Sequence, residues 1–442
     1  MNSTPTLDVD TWSQSAPELG GTAGEDANRL AGHVTAGENL LSTLPARPDR
    51  DPGQQRIAEC VLDSVRRLRD RFLTRHAEEV YAVLTNGRRV HLRLADLVRA
   101  AAERFPGLVP TAAQLDAERA HVQADKDGLE IDLGVFFRGL LRVPLAGAHL
   151  ADAMLLATPR AVALRERYDR TGRVELATVL LERHDGTGHL TVQNGHCLNA
   201  EDEALIADME TAVDLVLLDP QTRVGVLRGG VMTHPKYRGR RVFSAGINLD
   251  ALRDGRIPLV DFLLGRELGY LSKLAGGLLD PAAFPHTRLQ KPWLGVVDSF
   301  AIGGGMQLLL VLDRIIAADD AYFSLPAAQE GIVPGVANLR LGRLVGSRLA
   351  RRVILGGHTI HATDPEAALI CDQVVPADEL DATAAAAVRE LDSPAVVANR
   401  RMIALAEEPP DRFRSYLAEF ALTQALRLYG ADVIAKVSRR KS

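Results

Sequence analysis

Cysteine is scarce in this chain: Cys60, Cys197 and Cys371 are the only three, far apart and odd in number. That excludes a disulfide framework and a CxxC metal site and suits a reducing compartment, so a cytoplasmic setting is expected. The twelve histidines include no HExxH pair, which leaves a catalytic metal without support. No apolar run reaches the ~18 residues of a membrane span. Met1 to Gly24 is polar and acidic, without the basic-then-apolar pattern of a secretory signal. Positive charge is not in excess either. The formal net charge of −5 removes nucleic acid from the expected partners, because such proteins carry a strongly basic face. No internal repeat is present.

What is there is a long chain of 442 residues with 46% hydrophobic and 25% charged content. That is ordinary globular composition and enough length for two or three domains. Residues 1–28 read as a disordered tail. Residues 29–170 read as a helical domain. Ile57, Val61, Val65, Leu68 and Phe72 recur at helical spacing within a helix over 54–84, and further helices are expected at 92–104, 111–129 and 132–168. The character changes near Arg173. Strands are expected over 174–182 and 189–192, then a helix over 200–217 with Asn199 as its N-cap. Short buried strands at 224–227 and 294–297 follow, the second leading into a helix over 306–317. This alternation argues for a β-α-β core over 171–360. From about 338 the chain turns helical again, and residues 361–442 are expected to form a helical oligomerisation region ending in a basic tail.

Two segments carry chemistry. Phe243-Ser244-Ala245-Gly246-Ile247-Asn248-Leu249 is followed, one strand later, by Gly303-Gly304-Gly305-Met306-Gln307. Glycine lets a backbone approach a ligand closely. Two N–H donors converging on one oxygen stabilise the enolate of a thioester, and one such donor is worth ~3–4 kcal/mol. A helix opening at the triple glycine would add its positive end. Either segment alone is an ordinary turn; the two in order, with strand 294–297 between them, are not.

With Lys291-Pro-Trp-Leu-Gly-Val-Val297, Ala301-Ile302, Asp313, Phe323-Ser-Leu-Pro326 and Ile332-Val-Pro-Gly335, these segments resemble the crotonase (enoyl-CoA hydratase/isomerase) superfamily over roughly 174–375. The resemblance implies an α/β fold with a ββα spiral core, here joined to an all-helical N-terminal domain and C-terminal helices. It implies a coenzyme A thioester as ligand, with Ala245 and Gly303 lining it and the amides of Ile247 and Gly304 forming the oxyanion hole. It also implies a homo-oligomer built from trimers.

The pattern breaks at two positions. Hydratases of the superfamily carry one glutamate three residues after the middle glycine and another after the proline of the Phe-x-x-Pro segment. Here those positions are Gln307 and Ala327, and neither an amide nor a methyl can relay a proton to water. Glu330, three residues further on, is either a substitute or a solvated loop carboxylate. The long helical extension, Gln307 and the insert His234-Pro-Lys-Tyr-Arg-Gly-Arg-Arg241 resemble a cofactor-independent dioxygenase branch of the superfamily, associated with glycopeptide-antibiotic pathways. That resemblance implies that a dihydroxyphenylacetyl-CoA and O2 become an arylglyoxylate and free CoA with no metal or flavin. The alternatives are another crotonase-type isomerase or thioesterase using Glu330 or Glu201, and a non-catalytic CoA-ester-binding scaffold.

Arg266 falls four residues after Phe262, three after Leu263 and four before Tyr270, on the apolar stripe of its helix. There it either meets a phenolic oxygen or snorkels at the helix edge. Glu201 is expected in the first turn of its helix, either as a favourable N-terminal charge or as a hydroxyl contact or base. Gln307 would hydrogen-bond at the acyl or ring end. His234 is either a base or a surface residue. Lys236, Arg238, Arg240 and Arg241, like Lys436, Arg439 and Arg440, either meet CoA phosphates or form solvated charge runs.

Overall fold

The computed structural model describes residues 9–439. The first part is helical: α1 (Val9–Gln14), α2 (Ala23–Leu41), α3 (Pro52–Leu84), α4 (Leu94–Arg104), α5 (Ala112–Arg119), α6 (Leu129–Arg142), α7 (Pro144–Leu155) and α8 (Pro159–Thr171). The expected tail over 1–28 is therefore too long, with Met1–Asp8 lying outside the described residues. A Thr22–Glu25 capping box starts α2. The buried Asp26 accepts from the amides of Gly20 and Gly21 and lies 2.9 Å from His76 Nε2, and Trp12 stacks on His33 at 4.3 Å. The single helix expected over 132–168 is three, because Pro144 and Pro159 each sit at the first turn of a new helix. The helix expected over 111–129 stops at Arg119.

The α/β core follows. Its strands are β1 (Arg173–Glu175), β2 (Val179–His184), β3 (Thr187–Val192), β4 (Val224–Gly229), β5 (Leu278–Leu279), β6 (Arg288–Leu289), β7 (Trp293–Val297), β8 (Phe300–Ile302), β9 (Arg314–Ala318), β10 (Tyr322–Ser324), β11 (Ile360–His361) and β12 (Gln373–Val375). The main sheet has the order β1-β2-β3-β4-β7-β9-β12. β1, β2 and β3 are antiparallel, and β3 through β12 are parallel. A second sheet, β11-β10-β8, stands beside it. The strand expected over 174–182 is thus two strands. The helix expected over 306–317 is a short α12 (Gly304–Leu309) followed by β9. Ile315 to Ala318 is an apolar run buried on both faces of a parallel sheet, which periodicity cannot tell from a helix. β12 also shows that the sheet extends beyond residue 360.

The remaining helices are α9 (Glu203–Leu218), α10 (Leu249–Arg253), α11 (Ser272–Gly276), α13 (Ala327–Glu330), α14 (Ala337–Gly356), α15 (Leu380–Leu391), α16 (Pro394–Glu407), α17 (Pro410–Leu428) and α18 (Ala431–Arg439). Between α10 and α11 the chain makes two π-helical stretches, Leu259–Leu264 and Glu267–Leu271, the latter broken at Gly269 (φ −88°, ψ −113°). This segment is buried almost all round. Its position is set partly by a buried charge cluster. Lys273 Nζ donates to Glu210 at 2.8 Å and to Asp214 at 2.6 Å, and Arg93, just before α4, donates to both oxygens of Glu210. The cluster links the helical region, α9 and α11, which follows directly on the π segment. Among the described residues no single helix is long and apolar enough to cross a membrane.

Candidate active site

The site is assembled by backbone pairing between three loops. Leu198 and Asn199 both take left-handed backbone (φ 59° and 54°), which reverses the chain ahead of α9. Asn199 is therefore not the cap of that helix. Its Nδ2 donates to Val242 O at 2.7 Å, while Asp202 caps α9 by accepting from Leu205 N at 3.0 Å. Glu201 consequently stands before the helix rather than in its first turn. It pairs with Ile247 as an isolated parallel bridge, donating from its N–H to Gly246 O at 2.6 Å and accepting from Asn248 N at 2.8 Å. Ser244 pairs in the same way with Ala301, and Ile302 N donates to Ser244 O at 2.9 Å.

These pairings bring the two glycine segments together. Gly246 has φ +85°, and a Cβ there would lie 2.9 Å from Ile302 O and 3.2 Å from Gly304 N, so only glycine fits. Neither the Ile247 N–H nor the Gly304 N–H has a hydrogen-bond partner among the described residues. Two free donors on adjoining loops are what a thioester oxyanion requires. The expected helix-dipole contribution is small, since α12 has only six residues. Ala245 is tied to Leu198 O through its N–H at 3.0 Å, and Gly303 to Ser324 O at 2.7 Å.

Arg266 is the hub. It is 3% exposed, and all its nitrogens are engaged. Nε donates to both oxygens of Glu201 (3.1 and 3.0 Å), Nη1 to Glu267 Oε1 (3.0 Å) and Gln307 Oε1 (2.7 Å), and Nη2 to Gly304 O (2.8 Å). Tyr270 OH donates to Glu201 Oε1 at 2.7 Å. Burial opposes the Arg266 charge, but Glu201, Tyr270 and Glu267 together push its pKa up further. The snorkelling alternative fails: the guanidinium is enclosed and paired. Burial also raises the Tyr270 hydroxyl well above its ordinary value, so this tyrosine is a neutral donor. Gln307 accepts from Arg266, and its Nε2 donates to no protein atom among the described residues.

Sequence reading missed Glu267 and Tyr270. The sequence pattern places Tyr270 on the inward stripe but only as an apolar neighbour, while Glu267 lies in the π-helical stretch, where a wider turn brings inward a residue that a 3.6-residue period places elsewhere. Ala327 is buried, and Glu330 ends α13 half-buried with no side-chain partner; it does not join the cluster. Nor does the basic insert. His234 caps a short turn by accepting from Lys236 N at 3.3 Å, Lys236 lies 5.2 Å from the Tyr237 ring centroid, Arg238 is exposed, Arg240 pairs with Asp320 at 2.8 Å, and Arg241 donates to Gly229 O. Lys436 is half-buried, the Arg439 side chain is not described, and Arg440 lies outside the described residues. A small, mostly apolar cavity lies against Glu201, walled by Val192, Leu205, Met209, Leu227, Phe243 and Leu308. A larger cavity of about 390 Å³ between α4, α5, α6 and Pro258–Asp261 touches none of the clustered residues. Among the described residues no group of three or more His, Cys, Asp or Glu is arranged to hold a metal ion.

The enoyl-CoA hydratase/isomerase family profile matches residues 283–409. The chain is 57% identical to the (3,5-dihydroxyphenyl)acetyl-CoA 1,2-dioxygenase of Amycolatopsis orientalis, over 96% of this chain and 97% of that protein. It is 27% identical to a probable enoyl-CoA hydratase of Mycobacterium bovis, over 58% of this chain and 89% of that one. Among solved structures, an enoyl-CoA hydratase from Mycobacterium avium subsp. paratuberculosis superposes with a TM-score of 0.50 at 21% identity, covering 60% of this chain and 99% of that one, which shows the crotonase fold of the core. The chain belongs to the enoyl-CoA hydratase/isomerase superfamily, in the family of the Amycolatopsis dioxygenase.

Proposed function

We propose that this protein is a dioxygenase that converts (3,5-dihydroxyphenyl)acetyl-CoA and O2 to (3,5-dihydroxyphenyl)glyoxylate and free CoA, within the dihydroxyphenylglycine branch of glycopeptide-antibiotic biosynthesis. The observation that carries the reading is a pair of free oxyanion donors, Ile247 and Gly304, whose flanking acid–base positions hold an amide and a methyl, in a chain 57% identical over nearly its full length to an enzyme of that name. The donors stabilise an enolate, and neither sequence position that carries a hydratase glutamate, 307 or 327, holds a carboxylate. The atoms balance. The α-carbon loses two hydrogens and gains one oxygen, the acyl carbon gains the other, and the thiol and the new carboxylic acid take one proton each.

An enolate conjugated to an electron-rich ring can itself pass an electron to O2, so the substrate does the work usually left to a cofactor. We propose that no metal or organic cofactor takes part. The protein holds the enolate between Ile247 and Gly304, keeps it dry in a buried pocket and offers an apolar cavity beside Glu201. Glu201, Arg266 and Gln307 form the polar set that meets the ring hydroxyls, with Gln307 Nε2 as the donor still free. His234, Lys236 and Arg238 belong to the CoA end. The C-terminal helices build a homo-oligomer of trimers, for which the exposed side chains of Met402, Ile403 and Leu405 on α16 offer apolar surface.

An oxygen electrode tests this. Purified protein with the arylacetyl-CoA should consume one O2 per CoA released, unaffected by chelators. CoA release under argon without uptake would make it a thioesterase, and neither signal would leave a binding protein.

A further inference from the structure

Resting on the dioxygenase reading above, we propose that Glu267 is the base that removes the α-proton of the acyl thioester, while Glu201 serves the ring-hydroxyl contact alone. The proposal stands on which carboxylate oxygen is free. Glu201 is the more heavily engaged: both its oxygens accept from Arg266 Nε, and Oε1 also accepts from Tyr270 OH. Its Oε2 lies so close to Gly304 Cα that a Cβ there would overlap it. Glu267, 2% exposed, accepts from Arg266 Nη1 through Oε1 at 3.0 Å, and the Val336 N–H faces the same carboxylate. Its Oε2 is buried without any hydrogen-bond partner. Arg340 Nη1 stands 3.9 Å from that oxygen, and Arg340 is already held by both oxygens of Glu408 at 2.9 and 2.8 Å. A buried acceptor without a partner is costly. Such a group persists where it has a task.

Its location fits the task. Gly335 closes the loop after the vacant second glutamate position, Ala327. A Cβ on Gly335 would overlap Glu267 Oε1 and lie 3.0 Å from Gln307 Oε1. Glu267 therefore stands beside Gln307, the first position from which a hydratase glutamate is missing, and the two side chains share Arg266 Nη1. Burial also lifts its carboxyl above the usual range, against the pull of Arg266 and Arg340, which makes it a stronger proton acceptor. In the step itself, Glu267 Oε2 bonds to the α-proton as the Cα–H electron pair moves into the enolate, and the negative charge settles on the thioester oxygen between Ile247 and Gly304.

The test separates proton removal from oxygen chemistry. Under argon in D2O, the wild-type protein should wash deuterium into the α-position of the arylacetyl-CoA. Glu267→Gln, which keeps the shape and can still accept from Arg266, should lose at least ~100-fold in exchange and in O2 uptake, with substrate affinity unchanged. Glu267→Asp should recover part of the exchange and retain the acid limb of the pH profile that Glu267→Gln loses. If Glu267→Gln does not fold, the comparison of Glu267→Asp with wild type decides: an unchanged exchange rate and pH profile would overturn the proposal. Exchange at the wild-type rate in Glu267→Gln, or its loss in Glu201→Gln alone, would also overturn it while leaving the dioxygenase reading intact. Wild-type protein that neither exchanges nor consumes O2 would instead bring down that reading.

Discussion

Gly304 does two jobs with one absent side chain. Its N–H is one of the two free donors, and its bare Cα makes room for Glu201 Oε2. Its carbonyl accepts from Arg266, so donor, carboxylate and guanidinium are positioned through a single residue. Gly304→Ala should push Glu201 off Arg266 and turn the N–H away from the oxyanion. Losing one such donor costs ~100-fold or more in rate, so O2 uptake should fall at least that far while circular dichroism stays native. Activity within a few-fold of wild type would mean that the hole lies elsewhere. Arg266 illustrates the reverse dependence. An arginine this buried is tolerable only because carboxylates, an amide and a carbonyl surround it, and the same contacts hold the carboxylates still.

At the level of elements, the π-helical segment between α10 and α11 delivers Arg266, Glu267 and Tyr270 to one site, and what holds it is electrostatic as well as apolar. Phe262 and Tyr270 are fully buried, worth a few kcal/mol each by area. Lys273, with no exposed surface, bridges Glu210 and Asp214 on α9. Lys273→Met should leave two buried carboxylates facing only Arg93 and the Thr158 amide. Removing one partner from a buried ion cluster costs ~3–5 kcal/mol, to be measured by urea denaturation. A loss below about 1 kcal/mol would show that apolar packing alone ties the segment down.

In the whole molecule the helical region meets the rest of the chain where α6 packs on α17 and α8 on α9. Its surface carries large apolar side chains near the C-terminus: Met402 is 62% exposed, Ile403 56% and Leu405 57%. Such surface favours self-association. Sedimentation velocity should find an assembly whose mass is a multiple of three chains, and Met402→Asp with Leu405→Asp should reduce it. A monomer in both cases would sink the proposed assembly.

Much was legible in the residues themselves. The change of pattern near Arg173 separated a helical region from an α/β core. The two glycine segments pointed to two loops that do adjoin, because close backbone approach demands glycine whatever surrounds it. The absence of a proton-relaying side chain at Gln307 and Ala327 was legible too, because proton capacity is a property of the residue. Burial around Phe262, Leu263 and Tyr270 also marked Arg266. What required the tertiary structure was partnership. Whether 314–318 is strand or helix depends on the sheet that receives it. Asn199 proved to be a turn residue because a neighbouring loop takes its amide. Glu267 entered the site only through a π-turn that no period reveals, and it differs from Glu201 solely in which of their oxygens other residues have already claimed.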